Sequence, residues 1–283
     1  MIFRVTHKTN YIFSSSIFLE PHIIRLNPRN DACQKINNFI LTVDPQPAGI
    51  HHFGDAEGNY ATCIWFEKKT ATLSISTSFE AQTFCVNPFD YLVTDQDFFQ
   101  LPTTYEKIDA LALQPFLVPI EIDNAVTKFG NSVLEDSNGV TLDFLSRLCV
   151  AIYENFKVEI REHGHPFSPT ITFQNKRGAC RDLVILFMAI CRSFGLATRF
   201  VSGYQEGDPD MDQRHLHAWA EVYIPGGGWR GYDPSHGLVV VDRHITLAAS
   251  YDPEGAIPVK GSFRGTGVSA SINYLISLSA TAE

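Results

Sequence analysis

The sequence predicts an α+β protein, with an antiparallel β-sandwich or barrel-like domain first and then a central helix packed on an antiparallel sheet. Short runs rich in β-branched and aromatic residues, separated by turn residues, fill residues 1–90. After residue 120, apolar residues at three- and four-residue steps give way to stretches of period-2 spacing, which indicates helices and then strands. The 283 residues are 45% hydrophobic and 19% charged, so the chain can bury a core of ordinary size.

Residues 1–90 are predicted to form an N-terminal β-domain. Turn residues separate its apolar runs, as at 27–28, at 44–45 and around Gly58. Several short strands at this spacing are typical of a sandwich or a small barrel. The expected strands lie at 2–6, 23–26, 39–43, 60–66 and 71–79.

Residues 91–138 are predicted to be a connecting helical segment, with a helix at 121–135. A second helix is expected at 140–156, where apolar residues recur at three- and four-residue steps and form one buried stripe. The members of this stripe are Leu142, Leu145, Leu148, Cys149 and Ile152. A polar loop is expected to follow at 157–178.

A third helix comes after this loop and is expected to be the most buried. Its residues 183–192 are apolar on nearly all sides, which is typical of a central helix. Gly195 is a suitable end for it, because glycine readily adopts the left-handed conformation found at helix ends. Strands are then expected at 197–203, 215–224 and 229–233, and residues 246–283 are predicted to add C-terminal strands.

Net charge and cysteine spacing exclude several classes of function. The net charge is −9 at pH 7 and no basic run is longer than 68–69, so nucleic acid and membrane are not expected as partners. The six cysteines form no C-x-x-C pair, which argues against a zinc ribbon or a thioredoxin-type site. The first residues lack the order of a secretory signal, and no apolar run approaches about 18 residues. Cytoplasmic residence with reduced thiols is therefore expected.

The first candidate catalytic residue is Cys180, at the expected start of the central helix. A thiol of pKa about 8.5 is mostly protonated at neutral pH, whereas the nucleophile is the thiolate. Unpaired N–H groups in the first helical turn lower that pKa and can also stabilise an oxyanion. A free cysteine is more often a small buried apolar residue, so this assignment depends on the partners of Cys180.

The segment 215–224 alternates polar or aromatic residues with apolar ones, as a strand with one face in the core does. His215, His217 and Trp219 fall on the face that is expected to line a groove. An imidazole in a groove is available as a general base, because its ordinary pKa lies near 6.5. His217 is the candidate for this role, and His215 and Trp219 are candidates for lining the groove.

The glycines at 226–228 predict a hairpin that returns a second strand alongside this one. If Tyr223 pairs with Trp229, Asp233 lies diagonal to His217 on the same face and within reach of the imidazole. A carboxylate there would fix the imidazole tautomer so that the other ring nitrogen faces the thiol. A shift of one residue would place Asp233 on the opposite face.

Together these residues resemble the transglutaminase-like superfamily, whose core is papain-like. The matching blocks read RGACRD at 177–182, GLATRFVSGY at 195–204, HAWAEV at 217–222 and GWRGYDP at 228–234. The resemblance implies a catalytic core at 139–245 in which Cys180 is the nucleophile, His217 the base and Asp233 the orienting carboxylate. Weaker similarities at 19–29, 58–59 and 257–265 imply the N-terminal β-domain found with bacterial members.

Two positions are specific to this chain within that resemblance. The residue after the cysteine is often Gln in the family, and here it is Arg181, a cation that either depresses the thiol pKa or sits in solvent. Gln174 is a candidate oxyanion donor by analogy with papain.

The pairs His163/His165 and His215/His217 have the spacing of metal ligands, but no H-E-x-x-H or paired cysteines accompany them, so no metal or cofactor is expected.

Three classes of function agree with these features. The favoured one is a thiol-dependent acyl-transfer enzyme acting on a peptide or protein substrate, as a cysteine protease or amidase with water as acceptor, or as a transglutaminase with an amine. A catalytically inactive peptide-binding module and a scaffold that works through the N-terminal domain are the alternatives. The distance between sulfur and imidazole discriminates the enzyme from the binding module.

Overall fold

A computed structural model of the chain describes residues 1–161, 164–207 and 214–282, so His163 lies outside the described residues. The α-helices are α1 (Lys107–Leu113), α2 (Asn124–Asp136), α3 (Thr141–Asn155), α4 (Pro169–Asn175) and α5 (Cys180–Ser193). The strands before residue 90 are β1 (Ile2–Leu19), β2 (His22–Ile24), β3 (Gln34–Asp44), β4 (Gly49–Gly54), β5 (Tyr60–Trp65) and β6 (Thr70–Thr83). The later strands are β7 (Lys157–Val158), β8 (Arg177–Gly178), β9 (Thr198–Gln205), β10 (His217–Ile224), β11 (Gly228–Asp233), β12 (Leu238–Val239), β13 (His244–Ser250), β14 (Val259–Lys260), β15 (Phe263–Arg264) and β16 (Ala270–Thr281). None of the described helices is long and apolar enough to cross a membrane.

Strand β1 is the centre of the N-terminal sheet, which has the order β15–β1–β6–β3 with β16 also paired to β1. It is antiparallel to both β6 and β16, so that Val5 stands opposite Phe79 on one side and Leu278 on the other. Burial alternates along β1, with Phe3 and Val5 directed inward, as expected for a strand with one face in a core. The C-terminal strand thus returns to the sheet in which the chain begins.

A second antiparallel sheet, of order β14–β2–β5–β4, completes the N-terminal half. Ile24 and Ile64 of this sheet share one apolar core with Phe3 and Ile75 of the first sheet. Burying apolar side chains between two sheet faces is the packing of a β-sandwich.

The second half is organised around a five-stranded antiparallel sheet of order β12–β11–β10–β9–β13. Helix α5 packs on one face of it, and every residue from 182 to 192 is buried. Alternate residues of β10, including Ala218, Ala220 and Val222, lie in the same core as α5. The α+β fold class, with a central helix on an antiparallel sheet behind an N-terminal β-domain, is therefore confirmed.

The opposite face of this sheet meets the N-terminal half. Tyr204 of β9 and Ile245 of β13 belong to the same apolar core as the N-terminal strands. Polar contacts join the halves as well, because the Tyr204 hydroxyl lies 2.8 Å from Nδ1 of His7, and Nδ2 of Asn59 donates to the carbonyl of Ala249 at 2.9 Å. The five-stranded sheet consequently lies between α5 and the N-terminal strands.

Two local predictions are confirmed at the ends of elements. Helix α5 ends at Ser193, and Gly195 has a φ of +83°, the left-handed conformation expected after a helix. Tyr223 pairs with Trp229 across the hairpin. This register places Asp233 on the face of the sheet predicted for it.

Other elements differ from the sequence-based expectation. Strand β1 continues to Leu19, and β4 was not expected because its residues 49–54 contain two histidines and little apolar pattern. The predicted loop at 157–178 contains α4, which begins in the way many helices do: Ser168 accepts a hydrogen bond from the N–H of Ile171, and Pro169 occupies the first turn.

The expectation of reduced thiols is wrong for one pair of cysteines. Cys33 and Cys85 form a disulfide, with their Cα atoms 5.1 Å apart. Cys33 immediately precedes β3 and Cys85 follows β6, and the pairing of Gln34 with Thr83 brings these two strand ends together. The sequence separation of 52 residues hid this proximity.

Candidate active site

Cys180 is the first residue of α5, and a buried carboxylate fixes the turn in front of it. Asp182 has no exposed surface and accepts hydrogen bonds from the N–H of Ala179 at 2.8 Å and of Phe167 at 2.7 Å. It also forms an ion pair with Arg161 at 2.5 Å. These contacts hold the start of the helix in place, where free N–H groups favour negative charge on the Cys180 sulfur.

His217 lies at the start of β10 and contacts both other candidate residues. Its Nε2 is 2.7 Å from Oδ2 of Asp233, and its side chain is 12% exposed. The imidazole also hydrogen-bonds to the Cys180 thiol. Because Asp233 occupies Nε2, the nitrogen that faces the sulfur is Nδ1. The structure therefore brings Cys180, His217 and Asp233 into one hydrogen-bonded series.

Asp233 ends β11 and is completely buried. Its Oδ1 accepts the N–H of Ser235 at 3.0 Å. Its Oδ2 is the meeting point of three imidazoles, because His236 Nδ1 lies 2.8 Å away and His244 Nε2 3.3 Å away, in addition to His217. Sequence reasoning missed His236 and His244, although both are histidines close in sequence to Asp233.

The charges of the three groups support one another. Burial raises the pKa of Cys180, but the hydrogen bond and charge of His217 and the N–H of Ala218 outweigh it, so the pKa is lowered. Burial lowers the pKa of His217, but Asp233 and Cys180 together raise it above its ordinary value. The imidazoles around Asp233 hold the pKa of its carboxyl well below the ordinary range in spite of burial. The arrangement favours a thiolate beside an imidazolium.

Arg181 lies next to the thiol and is half-buried. Burial and the nearby Arg161 lower its pKa, whereas Asp182 and Cys180 raise it. The groups that set the pKa of the Cys180 thiol are His217, Ala218 and Asp233, together with burial. An effect of Arg181 on the thiol therefore stays a prediction.

Of the other predicted site residues, Trp219 is the one that contacts this group, because its ring stacks on that of His217 at 6.4 Å between centroids. Trp219 was expected to line a groove but has no exposed surface, because it is enclosed by Val201 and Ala249 on the sheet face turned away from α5. His215 hydrogen-bonds through Nδ1 to the hydroxyl of Tyr274 in β16. Gln174 is exposed on α4, and its assignment as an oxyanion donor stays a prediction.

One group of described residues has the composition of a metal site. His217, Asp233 and His236 offer three ligand atoms within 4.8 Å of one another. However, Oδ2 lies 2.7 and 2.8 Å from the two imidazole nitrogens, whereas two ligands of one tetrahedral zinc ion at about 2.0–2.1 Å stand roughly 3.3 Å apart. These distances are those of N–H···O hydrogen bonds, and we interpret the group as a hydrogen-bonded network.

Comparisons with known proteins agree with this architecture. Residues 3–82 match the model of the bacterial transglutaminase-like N-terminal region, and residues 128–234 match the transglutaminase-like superfamily. An uncharacterised protein of Mycobacterium tuberculosis is 26% identical over 274 residues, which are 92% of this chain and 86% of that protein. An uncharacterised protein of Mycobacterium leprae is 23% identical over 275 residues, covering 93% and 94% of the two chains.

A solved structure has the same fold over the whole chain. It is that of a protein from Cytophaga hutchinsonii, provisionally assigned as a cysteine protease, with a TM-score of 0.72 and 21% identity, and the match covers 100% of this chain and 92% of that one. The two family matches follow one another along the chain in the order of the two halves described above. The chain therefore belongs to the transglutaminase-like superfamily and begins with the N-terminal region of its bacterial members.

Proposed function

We propose that this protein is a thiol-dependent acyl-transfer enzyme that acts on amide bonds of a peptide or protein substrate. The observation that supports this most directly is the hydrogen-bonded series from Cys180 through His217 to the buried carboxylate of Asp233. An inactive peptide-binding module has no need of a sulfur–imidazole hydrogen bond or of a lowered thiol pKa. The enzyme is therefore preferred to that alternative.

The first half-reaction would transfer the acyl group to the enzyme. The Cys180 thiolate attacks the amide carbonyl carbon, and the carbonyl electron pair moves to oxygen to form a tetrahedral oxyanion. N–H groups at the start of α5 are suitable donors to that oxyanion. When the intermediate collapses, the C–N bond breaks and His217 donates its Nδ1 proton to the leaving amine. A thioester on Cys180 and a neutral imidazole result.

The second half-reaction would release the acyl group to an acceptor. Neutral His217 accepts a proton from the acceptor as the acceptor attacks the thioester, and the thiolate leaves. Water gives a carboxylic acid, which is the reaction of a protease or amidase, and a primary amine gives an isopeptide, which is the reaction of a transglutaminase. We favour hydrolysis because water is always present.

Alkylation of the thiol tests the assignment of the nucleophile. Iodoacetamide at pH about 5–6 labels thiols of low pKa selectively, because ordinary thiols are protonated there. We expect Cys180→Ala to abolish this labelling and Cys63→Ala to leave it intact, since Cys63 is a free, half-buried thiol in β5. Unchanged labelling of Cys180→Ala, measured by mass spectrometry, would remove the basis of the proposal.

A second experiment separates the two acceptors. The protein is incubated with a peptide library, with and without a primary amine, and the products are identified by mass spectrometry. Hydrolysis gives cleaved peptides or free acids in both samples, whereas transamidation gives adducts that contain the added amine. Absence of any product that depends on Cys180 in both samples would contradict acyl transfer on peptides.

A further inference from the structure

Three imidazoles from separate places in the chain converge on one carboxylate oxygen. His217 begins β10, His236 lies in the turn after β11, and His244 begins β13. All three contact Oδ2 of Asp233, at 2.7, 2.8 and 3.3 Å. An orienting role toward His217 needs a single hydrogen bond, so the other two imidazoles require a separate explanation.

His236 approaches the carboxylate from the solvent side. Its side chain is 41% exposed, and its ring meets that of His217 edge to face at 5.1 Å between centroids. The Nδ1 nitrogen faces Oδ2, so it donates an N–H to the ionised carboxylate. His236 therefore restricts both the carboxylate and the neighbouring imidazole.

His244 approaches from the interior. Its side chain is 2% exposed, and its ring packs edge to face on Trp219 at 5.1 Å. Its Nδ1 is buried and has no hydrogen-bond partner among the described residues. A ring with one unpartnered buried nitrogen is neutral, and burial indeed lowers the pKa of His244, so its single N–H sits on Nε2 and is donated to Asp233.

We infer that His236 and His244 are positioning residues that hold the Asp233 carboxylate in the orientation His217 requires. Because Oδ1 accepts the N–H of Ser235 and Oδ2 accepts from the imidazoles, rotation of the carboxylate away from the catalytic imidazole would break hydrogen bonds on both oxygens. The thiols of Cys180 and Cys149 also interact with Asp233, and burial raises the pKa of Cys149, so that this thiol stays protonated. This inference rests on the proposed function of the same site.

Fixing the carboxylate stabilises the thiolate–imidazolium pair over a wide pH range. Loss of a positioning donor would let the carboxylate rotate and weaken its contact with His217. The thiolate would then be protonated at higher pH, and the imidazolium would lose its proton at lower pH. If His236 and His244 only competed with His217 for the carboxylate, the effect would be the opposite. Removing one of these donors would then strengthen the interaction of Asp233 with His217 and widen the pH range of the thiolate–imidazolium pair.

The test measures the rate of Cys180 alkylation by iodoacetamide from pH 4 to 10 in matched variants. His236→Ala removes the donor, whereas His236→Asn replaces Nδ1 by an amide nitrogen on the same γ carbon. We expect His236→Ala to slow alkylation at pH about 5 by roughly tenfold to a hundredfold, the range for one hydrogen bond to a charged group. The acid limb of the alkylation profile should move to higher pH, because the thiolate is protonated at higher pH in this variant. His236→Asn should restore most of the wild-type profile, and His51→Ala, at an exposed histidine in β4, should not change it.

The buried partner gives a second pair of variants. His244→Gln keeps a donor at the position of Nε2, and His244→Leu removes it. The Leu variant alone should therefore narrow the pH range over which Cys180 is alkylated, if it folds. A profile that is unchanged or widened in His236→Ala, or that Asn fails to restore, would overturn the inference. A wild-type protein without alkylation below pH 7 would instead show that the proposed function itself is wrong.

Discussion

At the scale of single residues, the charge of Asp233 is expected to control the reactivity of Cys180. Asp233→Asn preserves the shape of the side chain but removes the charge that stabilises the His217 imidazolium. We expect alkylation of Cys180 at pH about 5 to become comparable with that of an ordinary thiol, and turnover of a peptide substrate to fall by about 10³- to 10⁴-fold. Asp136→Asn, at an exposed position in α2, is the control and should behave as wild type.

The interaction of Asp233 with His217 also predicts how the free energy of unfolding depends on pH. The pKa of Asp233 is lowered, so its contribution is present above its unfolded pKa of about 3.9 and is lost as pH falls. The pKa of His217 is raised, so its contribution is fully present below about 6.5 and is lost as pH rises through the folded value.

The free energy of unfolding lost in Asp233→Asn should therefore be largest between roughly pH 4 and 6.5. Urea unfolding of wild type and variant at intervals between pH 4 and 9 measures this difference. A difference that keeps growing above pH 7 would show that the imidazole is neutral in the folded protein.

Part of the site followed from sequence and part did not. The period-2 spacing around His217 and the glycines at 226–228 predicted the hairpin but left its register open. The register observed, which pairs Tyr223 with Trp229, is the one that places Asp233 beside His217. His236 and His244 were missed because a turn and a separate strand bring them to the carboxylate, and no local periodicity reports such a convergence. Trp219 was misplaced because alternation identifies a face of a strand but not what covers that face.

At the scale of elements, the end of α5 depends on the close approach of Gly195 to the chain before α1. A Cβ atom on Gly195 would lie 2.1 Å from the carbonyl oxygen of Thr103, and φ there is +83°. Gly228, at the start of β11, has a φ of +70° but open space around it. The two positions therefore differ in contact but not in backbone conformation.

We expect Gly228→Ala to lower the free energy of unfolding by about 1–2 kcal/mol, the cost of the left-handed conformation. Gly195→Ala should cost at least about 1–3 kcal/mol more, because the backbone of Thr103 must move. Urea unfolding followed by circular dichroism gives both values. Equal costs at the two positions would mean that the helix end adjusts freely and does not fix Thr103.

Elements with strong periodicity were predicted and irregular ones were not. Helices α2, α3 and α5 each have a buried apolar face, and their predicted spans agree with the structure to within a few residues. Strand β4 has no such pattern and exists because it pairs with β5, where Ile50 stands opposite Ile64. Pairing partners distant in sequence therefore define elements that their own residues do not.

At the scale of the whole molecule, the N-terminal half packs against one face of the five-stranded sheet of the second half. Strand β16 pairs with β1 over positions 270–281, a match between the two ends of the chain that no local pattern reveals. Tyr204, Ile245 and Leu247 of the second half lie in the core of the first. Removal of the N-terminal strands would expose these apolar side chains, so neither half is expected to keep its structure alone.

This shared core predicts that damage in the N-terminal strands unfolds the active-site half at the same denaturant concentration. Ile75 of β6 has no exposed surface, and Ile75→Ala should cost about 2–5 kcal/mol. In a Trp65→Phe background the fluorescence of Trp219 and Trp229 reports on the second half alone. We expect their urea midpoint to fall as far as the midpoint from circular dichroism, because the halves unfold together.

Ile40→Ala is the matched control, since Ile40 is 59% exposed and its loss should change stability by less than about 0.5 kcal/mol. A tryptophan midpoint that stays at the wild-type value in Ile75→Ala, while circular dichroism shows an earlier transition, would mean that the halves are independent. Joint unfolding would instead link the packing of the N-terminal strands to the alkylation of Cys180. The β13 strand supplies that link physically, because Ile245 packs on the N-terminal core and the adjacent His244 contacts the Asp233 carboxylate.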